Sequence, residues 1–165
     1  RLARTLSGPT TPLNLWLAKL LSRTLQGLLQ VLILLAAGKL LFGVSLGFLP
    51  HTLLLLGLFS LAMGAAGLFL ASLIRREDLL IGIAVLLANA FSALGGCWWP
   101  IEVVGGFMRQ LAVISPAYWA MDGLHRILFF GQGPSDWWPA LLALSAWTLV
   151  FALLSHHWLK KTAHT

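Results

Sequence analysis

Two long runs without a charged side chain, Thr52 to Ile74 and Leu79 to Trp99, stand almost back to back, with only Arg75, Arg76, Glu77 and Asp78 between them. Each is about as long as the roughly 20 residues that a helix needs to cross the hydrocarbon core of a bilayer. In that core the backbone must satisfy its own hydrogen bonds, which an α-helix does internally. The pair therefore reads as two spanning helices joined by a tight charged turn on one face of a membrane. Composition agrees: of 165 residues, 59% are hydrophobic and 10% charged, more apolar surface than a soluble domain of this size needs.

Two further spans flank this pair. Trp137 to Leu159 is apolar, tolerates Pro139 because the break falls in its first turn, and ends in His156, His157, Lys160 and Lys161. Leu15 to Phe42 carries Lys19, Arg23, Gln26, Gln30 and Lys39, so its uninterrupted apolar part is only Val31 to Gly38. It reads as a helix that starts among lipid headgroups and finishes across the bilayer. The expected fold is an all-α membrane protein with spans at 15–42, 52–74, 79–99 and 137–159, preceded by a cytoplasmic segment, 1–14.

Four crossings put both chain ends on one side. Arg1, Arg4, Lys19, Arg23, Arg75, Arg76, Lys160 and Lys161 fall on that side, against Lys39, Arg109 and Arg126 on the other, which places both ends in the cytoplasm. The basic residues sit at the ends of apolar runs and form no patch, so they speak for topology and against a nucleic-acid partner. The chain opens on Arg1 without an initiator Met or a signal-peptide pattern, as expected of a piece of a longer protein.

Gly95 to Gly131 is apolar yet cannot cross. Pro100, the Gly105-Gly106 pair and Pro116 break it, and Glu102, Arg109, Asp122 and Arg126 recur along it. Charge asymmetry puts it outside, so 100–131 is expected to be a re-entrant or amphipathic external segment before the last span. The Trp98-Trp99 and Trp137-Trp138 pairs read as an aromatic belt at that interface. Within Ala117 to Phe130, Asp122, His125 and Arg126 share one face, with Met121, Leu124, Ile127 and Leu128 opposite, the pattern of a helix lying on or dipping into the leaflet.

Small residues Gly57, Ser60, Gly64, Gly67 and Ala71 recur at steps of three and four on the second span. They allow close helix packing, and a dimer seam or a substrate path would use the same face. Asn89 and Ser92 are the polar side chains of the third span, placed to bond a neighbouring helix or face a transport cavity.

Catalytic motifs are weak. Gly43-Val44-Ser45-Leu46-Gly47 matches a G-x-S-x-G elbow, but it lies between two membrane helices and lacks the strand that exposes such a serine. Gly38-Lys39 is followed by Leu40, and Ile33 stands where a phosphate loop needs its first glycine. His156 and His157 point about 100° apart on a helix, poorly placed to share a metal. Cys97 is alone, so there is no disulfide framework. No catalytic, cofactor-binding or metal-ligating residue is expected.

The order of three features resembles the C-terminal part of an ABC-2 type permease, the membrane subunit of one class of ATP-binding-cassette exporters. These are RLARTLSGPTTPLNLWLAKLL at the start, the RRED turn, and the GGCWWPIEVVGGFMRQLAVISPAYWAMDGLHRILFFG block. Leu2, Arg4, Leu6, Pro9 and Lys19 occupy the positions of the family's cytoplasmic coupling segment, which touches the ATPase. The family's preceding box, ending in Arg-Gly-Thr, would lie before Arg1, and Arg1 itself stands where its threonine is expected. In the third feature Gly95, Gly96, Pro100, Glu102, Pro116, Tyr118 and Trp119 fit the family's external element, in which Trp99 is expected to act as a leaflet anchor.

The resemblance implies a multi-pass subunit of the cell (inner) membrane that exports a substrate, with ATP and Mg held and hydrolysed on a separate ATPase subunit. A second permease subunit, in a homodimer or heterodimer, and membrane lipid are the other implied partners. It also implies two more spans upstream. An almost wholly apolar lining fits hydrophobic or amphipathic cargo. The residues alone leave two other classes open. An intramembrane enzyme would need converging polar groups, of which the spans hold almost none; a non-transporting scaffold or ATP-independent channel subunit would need only helix packing.

Overall fold

The computed structural model describes residues 12–99, 103, 105–130 and 133–163. Six helices follow one another there: α1 (Pro12–Phe42), α2 (Leu49–Leu73), α3 (Glu77–Leu94), α4 (Gly106–Ala112), α5 (Pro116–Leu128) and α6 (Pro134–Ala163). Helices α1, α2, α3 and α6 are long and apolar enough to cross a membrane, and the described residues contain no strand. The chain is thus an all-α, multi-pass membrane protein with two shorter helices before its last span.

Glycines and prolines set the ends. After α1, Gly43 takes φ 66°, so that its own N–H and that of Val44 turn back onto the carbonyls of Lys39 and Gly38 at 3.1 and 3.3 Å. Helix α2 starts with Pro50 in its first turn, and Thr52 Oγ1 donates to the Leu46 carbonyl at 2.8 Å, fastening the loop to the helix. Glu77 and Asp78 belong to the first turn of α3, where carboxylates complement the helix dipole, and Arg76 pairs with Asp78 at 2.9 Å.

Helices α1, α2 and α6 each start three residues before the expected spans, and two boundaries differ in a way that the chain explains. Helix α3 stops at Leu94, inside the run that continues to Trp99, because the chain turns at Gly95 and Gly96, the latter at φ 80°. Helix α6 begins at Pro134, so Pro139 lies beyond the first turn and leaves the Ser135 carbonyl without its i+4 donor. Ser135 is exposed at the helix start, where such a loss costs least.

Helix α2 is the hub, packed chiefly against α6 and α1 and also against α5. Two buried clusters lie along it. Near the first turns of α1 and the last turns of α6, Trp16, Leu20 and Ala65 meet Phe151 and Ala152. At the opposite end, Leu55, Ile127, Trp137, Ala140 and Leu144 form the second. Trp16 Nε1 donates to Ser155 Oγ at 2.9 Å and its ring stands edge-on to His156 at 5.6 Å, closing α1 onto α6. Helix α3 buries no residue and touches α5 and α2 only lightly.

Candidate functional site

Two places in the fold gather the residues singled out by the sequence: the α4–α5 hairpin at the loop end of the bundle, and a cavity between α1, α2 and α3.

The hairpin is fixed at its elbow by Ser115. As N-cap of α5 its hydroxyl accepts from the Ala117 N–H at 3.2 Å and donates to the Phe91 carbonyl at 2.8 Å, so one side chain starts α5 and ties it to the end of α3. Pro116 follows at the first helical position and is buried. Trp119 Nε1 donates to the Val113 carbonyl at 2.9 Å, and its ring stands edge-on to Tyr118 at 5.3 Å. A Cβ added at Gly95 would lie 2.7 Å from Ala117 Cβ and 2.8 Å from the Tyr118 nitrogen, so only glycine lets the two chain segments cross there.

Farther along, α5 fits between α2 and α6. A Cβ at Gly123 would come 2.9 Å from Leu55 Cδ2 and 3.1 Å from Ala140 Cβ. Leu55 lies roughly 9 Å along α2 from its start at 1.5 Å per residue, so the hairpin dips into the bundle. At its far end Ile127 rests on Gly47, which sits at φ 58° with its Cα hydrogen facing the Ile127 carbonyl; a Cβ there would be 2.7 Å from that oxygen. The buried face of α5 is Pro116, Ala117, Ala120, Gly123 and Ile127; of the large apolar face expected, Ile127 is buried and Leu124 and Leu128 pack half-buried against the same core, while small residues make up the rest. Small side chains win because in an apolar surrounding they bring backbones together, which bulk does not. Asp122 and Arg126 form a two-pronged pair at 2.8 and 3.2 Å on the opposite face, which holds the Arg126 guanidinium still more firmly protonated.

The aromatic belt needs one correction. Trp98 and Trp99 are exposed, edge-on at 5.8 Å, but of the second pair only Trp138 faces outward; Trp137 is 1% exposed and belongs to the core. Adjacent residues on a helix point about 100° apart, so both cannot face the same way. His51 sits between Phe48 and Trp137, at ring distances of 4.6 and 5.0 Å. Pro100 and Glu102 of the external element, and Leu2, Arg4, Leu6 and Pro9 of the coupling segment, lie outside the described residues.

The small-residue stripe of α2 divides. Ser60 and Gly64 pack on α1: a Cβ at Gly27 would be 3.6 Å from Ser60 Cβ, and one at Gly64 would be 3.2 Å from Thr24 Oγ1. Around Gly57 and Gly67 a Cβ would meet nothing within 4 Å. Gly67 instead opens onto a cavity of about 530 Å³, lined also by Arg23, Gln26 and Gln30 of α1 and by Leu80 and Ile81 of α3. Asn89 and Ser92 are not joined to each other: Asn89 Nδ2 donates to the Val85 carbonyl of its own helix, and the Ser92 carbonyl accepts from the Cys97 N–H. Ser45 Oγ accepts from the Gly47 N–H in the loop between α1 and α2. Among the described residues no three His, Cys, Asp or Glu side chains converge as a metal site.

Sequence reasoning passed over Ser115, Trp16, Ser155 and the Arg23-Gln26-Gln30 face. Ser115 had a signal, a Ser-Pro step ahead of an amphipathic run, and the three α1 residues recur at helical spacing on one face. The Trp16–Ser155 bond, across 139 positions, had none.

Four membrane-length helices, with two shorter helices before the last of them, define a multi-pass membrane protein. Residues 2–156 match the family model of the ABC-2 family transporter protein, and the chain belongs to that family. It is 30% identical over 129 residues to the linearmycin resistance permease protein LnrN of Bacillus subtilis, covering 78% of this chain and 32% of that protein. It is 25% identical over 143 residues to the putative transport permease YvfS of the same organism, covering 85% of this chain and 56% of that protein. The chain spans about a third and about half of the lengths of these relatives. No solved structure matches it.

Proposed function

We propose that this chain is part of the membrane-spanning permease subunit of an ATP-driven exporter, working with a separate ATPase subunit that holds ATP and Mg and with a second permease subunit in the cell membrane. The family match over residues 2–156 carries the reading. The resistance named in one relative and the transport named in the other support it.

The geometry supplies the mechanical parts. In this reading both ends lie in the cytoplasm and the coupling segment precedes α1, which Trp16 clasps to α6 at Ser155. A push on the start of α1 is therefore felt by α6 and, through the shared core, by α2. At the outer face α5 bridges α2, α3 and α6 through Gly123, Ser115 and Ala140, so movement of the spans reaches the hairpin at the exit. Helix α3, which buries nothing within this chain, is free to face lipid or the second permease subunit.

The test is co-reconstitution of the full-length subunit with its ATPase. Leu6→Ala combined with Pro9→Ala should leave the complex assembled and ATP hydrolysis running while transport falls; coupling that survives both changes contradicts the role of the segment.

A further inference from the structure

The cavity between α1, α2 and α3 is lined on its α1 side by three polar side chains, Arg23, Gln26 and Gln30. Arg23 stands beside Gly64, where an added Cβ would be 3.6 Å from Arg23 Cβ, and Gly64 lies about 14 Å along α2 from Leu73 at 1.5 Å per residue. That is well inside a membrane-length helix, where a guanidinium is costly unless it faces a cavity or meets an anion. Among the described residues Arg23 joins no ion pair, and it donates a long hydrogen bond, 3.3 Å, to Gln26 Oε1. Ser60, which also lines the cavity, is 5% exposed, and its hydroxyl has no hydrogen-bond partner. Its oxygen lies 3.7 Å from where a Cβ at Gly27 would stand, in the seam between α1 and α2, so the polar groups that the cavity offers are those of Arg23, Gln26 and Gln30.

We infer that this cavity binds the anionic head of an amphiphile, with Arg23 pairing the charge, Gln26 and Gln30 hydrogen-bonding around it, and the tail lying along Gly67 and Ile81. The cavity, about 530 Å³, lies in the range that takes a drug-sized or single-chain ligand. The walls beyond the α1 polar face are apolar, so a fully polar solute gains nothing there. The glycines provide the room: any side chain at Gly67 enters the cavity, because a Cβ there meets nothing within 4 Å. This assignment rests on the transporter reading for its use as a cargo site, and the chemistry of the head is shared by a free amphiphile and an anionic membrane lipid.

The experiment uses the full-length permease with its ATPase in nanodiscs of zwitterionic lipid. Two photoactivatable probes of equal chain length are compared, a fatty acid and the corresponding alcohol, and crosslinks are mapped by mass spectrometry. The acid should label the segments 23–31 and 60–71 about tenfold more than the alcohol, the ratio expected of one charge-assisted bond. Arg23→Gln should erase the difference and Arg23→Lys should retain most of it. Gly67→Leu should depress labelling by both probes while the complex elutes unchanged. Suppression of labelling in nanodiscs of anionic phospholipid assigns the site to bilayer lipid, and persistence assigns it to a free amphiphile; both place an anionic head at Arg23. Equal labelling by acid and alcohol, an Arg23→Gln variant that keeps the preference, or no crosslink in either segment overturns the inference. A parallel vesicle assay separates the two proposals: labelling without ATP-dependent movement of the acid removes the transporter reading and leaves the site, whereas movement without labelling removes the site alone.

Discussion

The Ser115 hydroxyl donates to the Phe91 carbonyl at 2.8 Å, joining the first turn of α5 to the last turn of α3 while its oxygen also caps α5. Ser115 is fully buried, so neither role can pass to bulk water. Ser115→Ala should therefore lower stability by about 1–2 kcal/mol, the range for a lost cap together with a buried bond. Ser115→Thr, which keeps the oxygen, should recover part of it. Thermal unfolding of the purified protein in detergent, followed by size-exclusion chromatography, reads both changes.

The two glycine environments predict opposite outcomes. Gly123→Val drives a branched side chain into Leu55 and Ala140 and should destabilise by about 1–3 kcal/mol or more. Gly57→Ala meets nothing within 4 Å and should be neutral or stabilise by up to about 1 kcal/mol through helix propensity. The same melting assay ranks them, and equal effects at the two positions would contradict the packing described for α5.

Trp16 and Ser155 form a buried pair in which the indole N–H depends on Ser155 Oγ, while that hydroxyl also donates to the Ala152 carbonyl at 3.0 Å. Ser155→Ala strands the indole N–H and should cost about 1–3 kcal/mol. In the double variant with Trp16→Phe the cost should be less than the sum of the single changes, and a double-mutant cycle measures the difference.

Cys97 lies beyond α3, at the end of the bundle proposed to be external. Cys97 is exposed at the surface, yet partial desolvation by its neighbours raises its thiol pKa, and the Ser92 hydrogen bond only partly offsets this. Maleimides react with the thiolate, so Cys97 should label more slowly than free cysteine at neutral pH and accelerate about tenfold per pH unit up to its raised pKa. In intact cells a membrane-impermeant maleimide should reach it from outside. Protection until the membrane is opened would reverse the proposed orientation.

Much of the architecture was legible because long uncharged runs have few other fates. What escaped was the detail that hydrophobicity does not encode. The apolar Trp98 and Trp99 prolonged the third run past Gly95, although the glycine turn, not apolarity, ends α3. On α5 the eye goes to Leu124 and Ile127, which do pack on the core, but Ala117, Ala120 and Gly123 are buried beside them, because close approach is the scarce quantity between membrane helices. Arg23, Gln26 and Gln30 read as headgroup residues from their chemistry. Only the fold shows that they run alongside the glycine stripe of α2. Trp16 and Ser155 meet through tertiary structure alone.

The central claim, that this chain belongs to a subunit that moves a solute at the expense of ATP on a partner, is tested most directly by flux. Inside-out vesicles containing the full-length subunit and its ATPase should accumulate an amphiphilic probe only with hydrolysable ATP, and Leu6→Ala with Pro9→Ala should abolish accumulation while hydrolysis continues. Accumulation to equilibrium without ATP would mark a channel, and no movement by an assembled, hydrolysing complex would mark a scaffold; either contradicts the account.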